Sequence, residues 1–318
     1  MIQCYIGFAH GERRTGARLT DTVYCMIDYI RENLSYYPIY WRLLFRTKKE
    51  FTPERVSFGE DKEQYFLYYE PAGVLSDKTA SDRSVSVKAV SGKVVIWIHG
   101  GGWNAGNPKF FDYVGQNMAG AGYRFVSIGY RLSPKNKYPA QIEDVCAGFN
   151  SALEYLKEKG IDTSKIIVSG PSAGAHLSSI MCYSKTIQEK YKVDLSNVIG
   201  YVGFGGPYCF KENQTLTLRM LEGMLFAKGY DRLLAEPWSL MTKSHIPMLL
   251  IQSRHDGLVE FECAEDFMQK SEVVGNKCEI YEVEDKRNTH SWYTAGCFLF
   301  SRDKDKTLDK FLSWIEEI

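Results

Sequence analysis

From Gly92 onward, short apolar runs alternate with longer segments whose apolar residues recur at helical spacing. The short runs are apolar on both faces, which is typical of parallel strands covered by helices on each side. The alternation therefore predicts an α/β fold with a mainly parallel sheet. The predicted strands are Val94–Ile98, Phe125–Tyr130, Ile166–Ser169, Val198–Phe204, Met248–Gln252 and Glu279–Val283, and the main predicted helices are Tyr138–Lys159, Ala173–Lys190, Glu260–Val274 and Lys304–Ile318.

The first part of the chain has a different pattern. An amphipathic helix that ends before Pro38 is predicted by apolar residues at helical spacing after Asp21. An aromatic and basic stretch, Tyr36–Arg46, follows it. This stretch predicts either a helix and loop packed over the core, or a cap at the mouth of a pocket or against a membrane surface. The apolar helix positions are Val23, Met26, Ile27, Ile30 and Leu34.

Two strand-like runs, Arg55–Phe58 and Gln64–Tyr69, flank turn-forming residues and predict an antiparallel hairpin. The polar stretch from Pro71 to Gly92 predicts a surface loop. We therefore divide the chain into an N-terminal helical and aromatic cap segment, residues 1–52, and a main α/β domain, residues 53–318. Residues 207–238 are apolar and aromatic, and predict either a further part of the cap, lining a pocket, or core helix.

Composition narrows the class of protein. Lys plus Arg (39) equals Asp plus Glu (39) without a long basic run, so nothing favours a nucleic-acid partner. The eight cysteines lack C-x-x-C spacing, which argues against a metal site and favours reduced thiols. The N-terminal residues do not form a signal-peptide pattern, and no apolar run is long enough to span a membrane. These features predict a soluble, cytoplasmic protein.

The stretch from Ile166 to Ser179 joins a β-branched run to the string Gly-Pro-Ser-Ala-Gly and a helix-like continuation. This order predicts a strand, a sharp turn and a helix, with Ser172 at the tip of the turn. Larger side chains two positions before or after Ser172 would collide with the strand and the helix. Ser172 is therefore a candidate nucleophile.

A second glycine-rich string, His-Gly-Gly-Gly-Trp, occupies residues 99–103 directly after a predicted strand. Glycines leave backbone N–H groups unshielded, so an oxygen with developing negative charge can approach them. The predicted oxyanion donors are the N–H groups of Gly101 and Gly102, together with that of Ala173, the residue after the candidate nucleophile.

With these strings, and with Tyr130–Ser133 and Tyr138–Val145 between them, the chain resembles the α/β-hydrolases. The resemblance is specifically to the hormone-sensitive-lipase-like esterases and the related bacterial feruloyl and acetyl-xylan esterase-like group. It covers residues 55–318, and it implies an eight-stranded, mostly parallel sheet with helices on both faces, a small cap and no cofactor. In that frame residues 53–318 are the catalytic domain.

The resemblance also implies the partners of Ser172. Asp256 lies in a D-x-x-V string after a predicted strand and matches the acid of the family's triad, whereas His290 matches its histidine. Glu284 and Asp285 are alternative acids, and His255 is the alternative base. The chain order Ser, Asp, His is the order expected for this fold.

These residues imply a serine carboxylesterase that hydrolyses small or short-chain acyl esters. An aryl-formamidase is an alternative, because those amidases resemble the chain and use an H-G-G-x-W turn, and a non-catalytic binding protein on a hydrolase fold is a third. Trp103, Tyr208 and Trp292 are candidate substrate contacts. Pro171 departs from the family's pattern and is expected to point away from the pocket. We also expect Ser172 Oγ to lie within hydrogen-bonding distance of His290 Nε2.

Overall fold

The computed structural model describes residues 49–71, 90–210 and 215–318, together with several positions between Ile27 and Arg42. Its described residues form an eight-stranded sheet in the order β1-β2-β4-β3-β5-β6-β7-β8. Strand β2 pairs antiparallel with β1 and β4, and all other pairs are parallel. The strands are β1 Glu54–Ser57, β2 Tyr65–Tyr69, β3 Val94–Ile98, β4 Arg124–Ile128, β5 Ile166–Pro171, β6 Val198–Phe204, β7 Met248–Gln252 and β8 Cys278–Glu282.

Helices cover both faces of this sheet. Buried residues of α2, α3, α4 and α7 pack on one face, and those of α1 and α9 pack on the other. The predicted α/β fold is therefore confirmed. The helices are α1 Asp112–Gly120, α2 Ala140–Glu158, α3 Ala173–Tyr183, α4 Lys185–Tyr191, α5 Leu216–Leu225, α6 Pro237–Leu240, α7 Phe261–Val274, α8 His290–Thr294 and α9 Lys306–Glu317, with 3₁₀ turns at Arg232–Ala235, Gly296–Leu299 and Arg302–Lys304.

One helix prediction differs from the structure, and one helix was not predicted. The single helix expected over Ala173–Lys190 is wrong, because the chain breaks at Ser184, whose backbone is extended (φ −104°, ψ 105°). The Ser184 hydroxyl accepts a hydrogen bond from Ile187 N at 3.4 Å and caps α4. Serine favours this arrangement because its short side chain satisfies an N–H group that a new helix leaves unpaired. Helix α1 was not among the main predicted helices.

The N-terminal prediction is tested at a few positions only. Ile27, Ile30 and Leu34 are helical as predicted, but they are 43%, 48% and 64% exposed. Pro38 is also helical, which differs from the predicted end of the helix before it. The remainder of the cap prediction, and most of the loop predicted over Pro71–Gly92, lies outside the described residues. The division at residue 52 stays a prediction.

No helix within the described ranges combines the length and the apolar character needed to cross a membrane.

Candidate active site

Ser172 occupies a strained turn between β5 and α3. Its backbone lies at φ 52° and ψ −119°, in a region that a residue with a side chain rarely adopts. The turn is also sterically tight, because a Cβ added at Gly170 would lie 2.6 Å from Ile98 O and one added at Gly174 would lie 2.0 Å from the same atom. The sequence-based requirement for small residues on either side of the serine is therefore confirmed.

Replacing Gly174 with alanine is expected to lower the free energy of unfolding by about 1–3 kcal/mol, because the new methyl group would overlap Ile98 O. Urea unfolding followed by circular dichroism measures this change. The matched control is Gly223→Ala in α5, where an added Cβ meets no atom within 4 Å. That control should leave stability unchanged or raise it by up to about 1 kcal/mol. Equal losses in both variants would contradict the steric argument.

The glycine turn after β3 faces Ser172 from the neighbouring strand. Gly101 and Gly102 both have positive φ values, 115° and 58°. A Cβ at Gly101 would lie 2.3 Å from Ala105 O, so this backbone excludes side chains there. No acceptor in the described part of the chain is bonded to the N–H groups of Gly101, Gly102 or Ala173. These three N–H groups are thus available to an oxygen atom of a bound molecule.

His99 supports the glycine turn through its contacts with Tyr130. Its ring stacks on Tyr130 with 4.1 Å between centroids, and the Tyr130 hydroxyl donates to His99 O at 3.0 Å. Burial lowers the pKa of His99 to about 4, so the ring is neutral near pH 7. The imidazole is a packing element of the turn.

Trp103 was expected to contact substrate, and the structure places it elsewhere. Its side chain is buried, and its indole N–H donates to His176 Nδ1 at 3.2 Å. His176 Nε2 in turn donates to Ala235 O at 2.8 Å. Burial lowers the pKa of His176 to about 4, which keeps the ring in the neutral form that this chain of bonds requires. Trp103 therefore fastens the glycine turn to α3.

The other two candidate substrate contacts also lie off the site cavity. Tyr208 is fully buried and stacks on Phe267 with 4.4 Å between ring centroids. Trp292 packs near Phe300, with ring centroids 6.0 Å apart. Neither side chain lines the cavity beside Ser172. Their aromatic character and position in the sequence suggested a contact with substrate, but both side chains pack against other residues instead.

Asp256 and His290 form a buried acid–base pair. His290 Nδ1 lies 2.7 Å from Asp256 Oδ2, and the Asp256 side chain is 0% exposed. Asp256 Oδ1 accepts hydrogen bonds from Leu258 N and Val259 N, both at 2.8 Å. The loop after β7 thus fixes one carboxylate oxygen, and the imidazole bonds to the other. This arrangement sets the tautomer with the proton on Nδ1 and a lone pair on Nε2.

The electrostatics of His290 reflect two opposing effects. Burial favours the neutral ring and acts to lower the pKa, but the negative charge and hydrogen bond of Asp256 outweigh it, so the pKa is raised above 6.5. The Nε2 atom is buried and bonded to no atom of the described residues. The Nε2 atom is therefore the part of the Asp256–His290 pair that remains available to another group.

The expected hydrogen bond between Ser172 Oγ and His290 Nε2 is not formed. Both residues nevertheless line the same cavity. Catalytic hydrogen bonds of this kind tighten when substrate binds. The structure brings Ser172, Asp256 and His290 into one site without closing this contact.

The alternative residues do not reach the site. Glu284 is exposed and pairs with Lys306 at 3.0 Å, and Asp285 pairs with Arg287 at 2.9 Å. His255 lies in the turn after β7, where its side chain is exposed, whereas the Asp256 side chain is 0% exposed.

A cavity of about 380 Å³ lies in front of Ser172. Its wall is mostly apolar, with Phe110 and Tyr113 on one side and Leu221 of the predicted cap region on another. Gly101 and Gly102 form part of the same wall. Pro171 also lines the cavity, so the expectation that it points away is wrong. Strand β5 continues through Pro171, which brings the ring against Gly100 at the cavity floor.

Sequence reasoning missed Tyr293. Its hydroxyl donates to Asp256 Oδ2 at 2.6 Å, beside the bond from His290. The contact has a local signal, since Tyr293 lies three residues after His290 on α8 and so projects from a neighbouring face of the same turn. Gly205 makes room for it, because a Cβ there would lie 2.5 Å from the tyrosine hydroxyl. Tyr293 therefore helps to hold the carboxylate that orients the imidazole.

The chain is similar to several known esterases and matches one family model. A family model described as BD-FAE matches residues 85–271. The chain is 43% identical over 89 residues to carboxylesterase NlhH of Mycobacterium tuberculosis, over 28% of each chain. It is 28% identical over 201 residues to the probable carboxylic ester hydrolase LipM of the same organism, over 59% of this chain and 47% of LipM. The matched region thus spans less than half the length of these relatives.

A solved structure gives a similar picture of the fold. Esterase B from Lactobacillus rhamnosis is 17% identical and aligns with a TM-score of 0.68, over 94% of this chain and 95% of that chain. At this identity the likeness concerns the fold alone. Together with the sheet order, it confirms the expected α/β-hydrolase fold. The family model that matches residues 85–271 and the esterase relatives confirm the resemblance that the motifs indicated.

Proposed function

This chain belongs to the BD-FAE family, and from that membership and the site geometry we propose that it is a serine carboxylesterase acting on small or short-chain acyl esters. The observation that carries the proposal is the Asp256–His290 pair, 2.7 Å apart, on the wall of the cavity that also holds Ser172. The esterase names of the relatives support the same chemistry.

In the proposed first step, Ser172 Oγ attacks the carbonyl carbon of the ester while His290 Nε2 takes the hydroxyl proton. A serine hydroxyl is a weak nucleophile near pH 7, so this proton transfer is needed. Asp256 keeps the proton of the neutral ring on Nδ1 and stabilises the imidazolium that forms. The carbonyl π electrons move to oxygen, and the N–H groups of Gly101, Gly102 and Ala173 hold the resulting oxyanion.

In the second step, the oxyanion re-forms the carbonyl and the bond to the alcohol oxygen breaks. His290 gives its proton to that oxygen, and the alcohol leaves an acyl group on Ser172. Water then attacks the acyl carbon with His290 again as base. The second tetrahedral species collapses, the serine regains a proton, and the carboxylic acid departs.

The preference for small esters rests on the size and lining of the cavity. Its volume of about 380 Å³ lies at the lower end for ligand sites, which run from about 300 to 1,000 Å³. Phe110, Tyr113 and Leu221 offer apolar surface to an acyl chain, whereas the described wall offers no exposed cation to a charged one. A neutral ester with a short chain fits these properties.

Hydrolysis of a p-nitrophenyl ester series with increasing acyl length tests the proposal. We expect kcat/KM to be greatest for short chains and to fall once the acyl group exceeds the cavity. Acetylated xylan, a feruloyl ester and N-formylkynurenine are measured beside the series. Faster turnover of N-formylkynurenine than of p-nitrophenyl acetate would favour an aryl-formamidase instead. No turnover of any substrate, with Ser172 unreactive to a fluorophosphonate, would point to a binding protein on a hydrolase fold.

A further inference from the structure

The carboxylate of Glu32 lies at the start of α8, the helix that carries His290, although the two residues are 258 positions apart. Glu32 Oε2 accepts a hydrogen bond from His290 N at 2.5 Å. Glu32 Oε1 accepts from Ser291 N at 2.9 Å and from the Ser291 hydroxyl at 2.7 Å. Both oxygens of one half-buried carboxylate are thus committed to the same helical turn.

These bonds matter because α8 has only five residues. The first N–H groups of a helix have no partner within it, and a carboxylate there satisfies them and complements the positive end of the helix dipole. In so short a helix the first turn is most of the element. Its position therefore depends on the group that binds those N–H groups.

A second contact joins the same two parts of the chain. The guanidinium of Arg31 donates to Asn288 Oδ1 at 3.0 Å, two residues before His290. Two adjacent residues of the N-terminal segment, Arg31 and Glu32, therefore bind the end of the loop before His290 and the start of α8. His290 is held at its ring by Asp256 and at its backbone by Glu32.

We propose that Glu32 is a positioning residue for His290, which places the imidazole by fixing the first turn of α8 from the N-terminal segment. The inference rests on the proposed function, and it gives that segment a role in the site. The hydrogen bond from His290 to Glu32 comes from the backbone N–H, so Glu32 acts through the helix.

The charge of Glu32 adds a measurable signature. Several charged or titratable groups lie near His290 among the described residues. Asp256 bonds to its ring, Tyr293 bonds to the Asp256 carboxylate, and Glu32 bonds to the His290 backbone. Arg31, which precedes Glu32, bonds to Asn288. The negative charge of Glu32 contributes, after that of Asp256, to raising the pKa of His290. Neutral His290 is the proposed base, so activity falls as the pH drops through this pKa. Removing the charge of Glu32 should move that loss to lower pH.

The test compares Glu32→Ala and Glu32→Gln with the wild type, using Glu154→Gln as the matched control. Glu154 lies exposed on α2, away from the site. With p-nitrophenyl acetate, and with active sites counted by fluorophosphonate labelling, E32A should lower kcat by about 10- to 100-fold and leave KM unchanged. E32Q keeps the shape but loses the charge and one acceptor, and should give a smaller fall. E154Q should match the wild type.

Histidine ¹⁵N NMR titration provides a readout that does not require turnover. The His290 resonance, assigned by its loss in H290Q, should titrate at lower pH in E32Q and at the wild-type pH in E154Q. A merely structural role for Glu32 would lower the melting temperature or the fraction of active sites, without changing kcat per site or the pKa of His290.

The outcomes separate the two proposals. An unchanged His290 titration in E32Q, with unchanged kcat and labelling rate per site, would overturn the positioning role even in an active esterase. If the wild type hydrolyses no ester, the proposed function fails. The NMR shift and the rate of Ser172 labelling would still decide the role of Glu32, and E32Q remains informative if E32A does not fold.

Discussion

Replacing Ser172 with alanine is expected to lower kcat for p-nitrophenyl acetate by about 10⁶-fold. The loss is large because the hydroxyl supplies the bond to the acyl group. Ser291 and Thr294 are described hydroxyl side chains that also line the cavity near His290, and the Thr294 hydroxyl donates to His290 O at 2.7 Å. The Ser291 hydroxyl donates to Glu32 and is held away from this role. Steady-state kinetics with substrate in excess measures the change.

The control for S172A is labelling by a fluorophosphonate, which should modify the wild type at Ser172 and leave the variant unmodified. The melting temperature of S172A should not fall, since the strained backbone at φ 52° is also open to alanine at similar cost. Retention of most of the esterase activity by a folded S172A protein would remove Ser172 from the mechanism and with it the serine esterase proposal.

The second large effect is expected for Asp256→Asn, which should lower kcat by about 10⁴-fold. The amide fills the same space, but its NH₂ group can face His290 Nδ1 and favour the tautomer with the proton on Nε2. That tautomer cannot accept the proton of Ser172. The bonds from Leu258 N and Val259 N to Oδ1 hold the side chain in place, so the effect should fall on kcat and not on folding.

Asp285→Asn is the matched control for D256N. Asp285 is one of the two alternative acids named in the sequence analysis. It forms an ion pair with Arg287 at 2.9 Å and not with His290. D285N should keep kcat near the wild-type value, with at most a small loss of stability from the weakened ion pair. A larger loss of kcat in D285N than in D256N would show that the acid is misassigned.

The strands could be predicted closely because their signal is local. The bounds predicted for β3, β6 and β7 coincide with those in the structure. An apolar run between polar breaks specifies a buried strand without reference to distant residues. The helix after Ser172 was harder to predict, because the sequence from Ala173 to Lys190 predicts one continuous helix. Only the capping bond between Ser184 and Ile187 reveals the break.

The candidate site divides in the same way. The turn at Ser172 was predictable, since Gly170 and Gly174 flank the serine within five residues of chain, although the atom that both glycines must avoid, Ile98 O, lies on the neighbouring strand β3. The bond between Asp256 and His290 joins residues 34 positions apart, and the resemblance to esterases supplied that pairing before the structure did. The roles of Trp103 and Tyr208 could not be foreseen, because an aromatic side chain near a site packs equally well toward the core.

By itself, the sequence determined the alternation of strands and helices, the serine turn and the glycine turn, because each is marked by a pattern of residues that lie close together in the chain. Only the tertiary structure decided which side chains share the cavity, where Pro171 points, and that Tyr293 and Glu32 support the acid–base pair. These outcomes depend on packing between elements that are far apart in the chain, such as those that carry Glu32 and His290. The local sequence pattern does not show which distant elements come into contact.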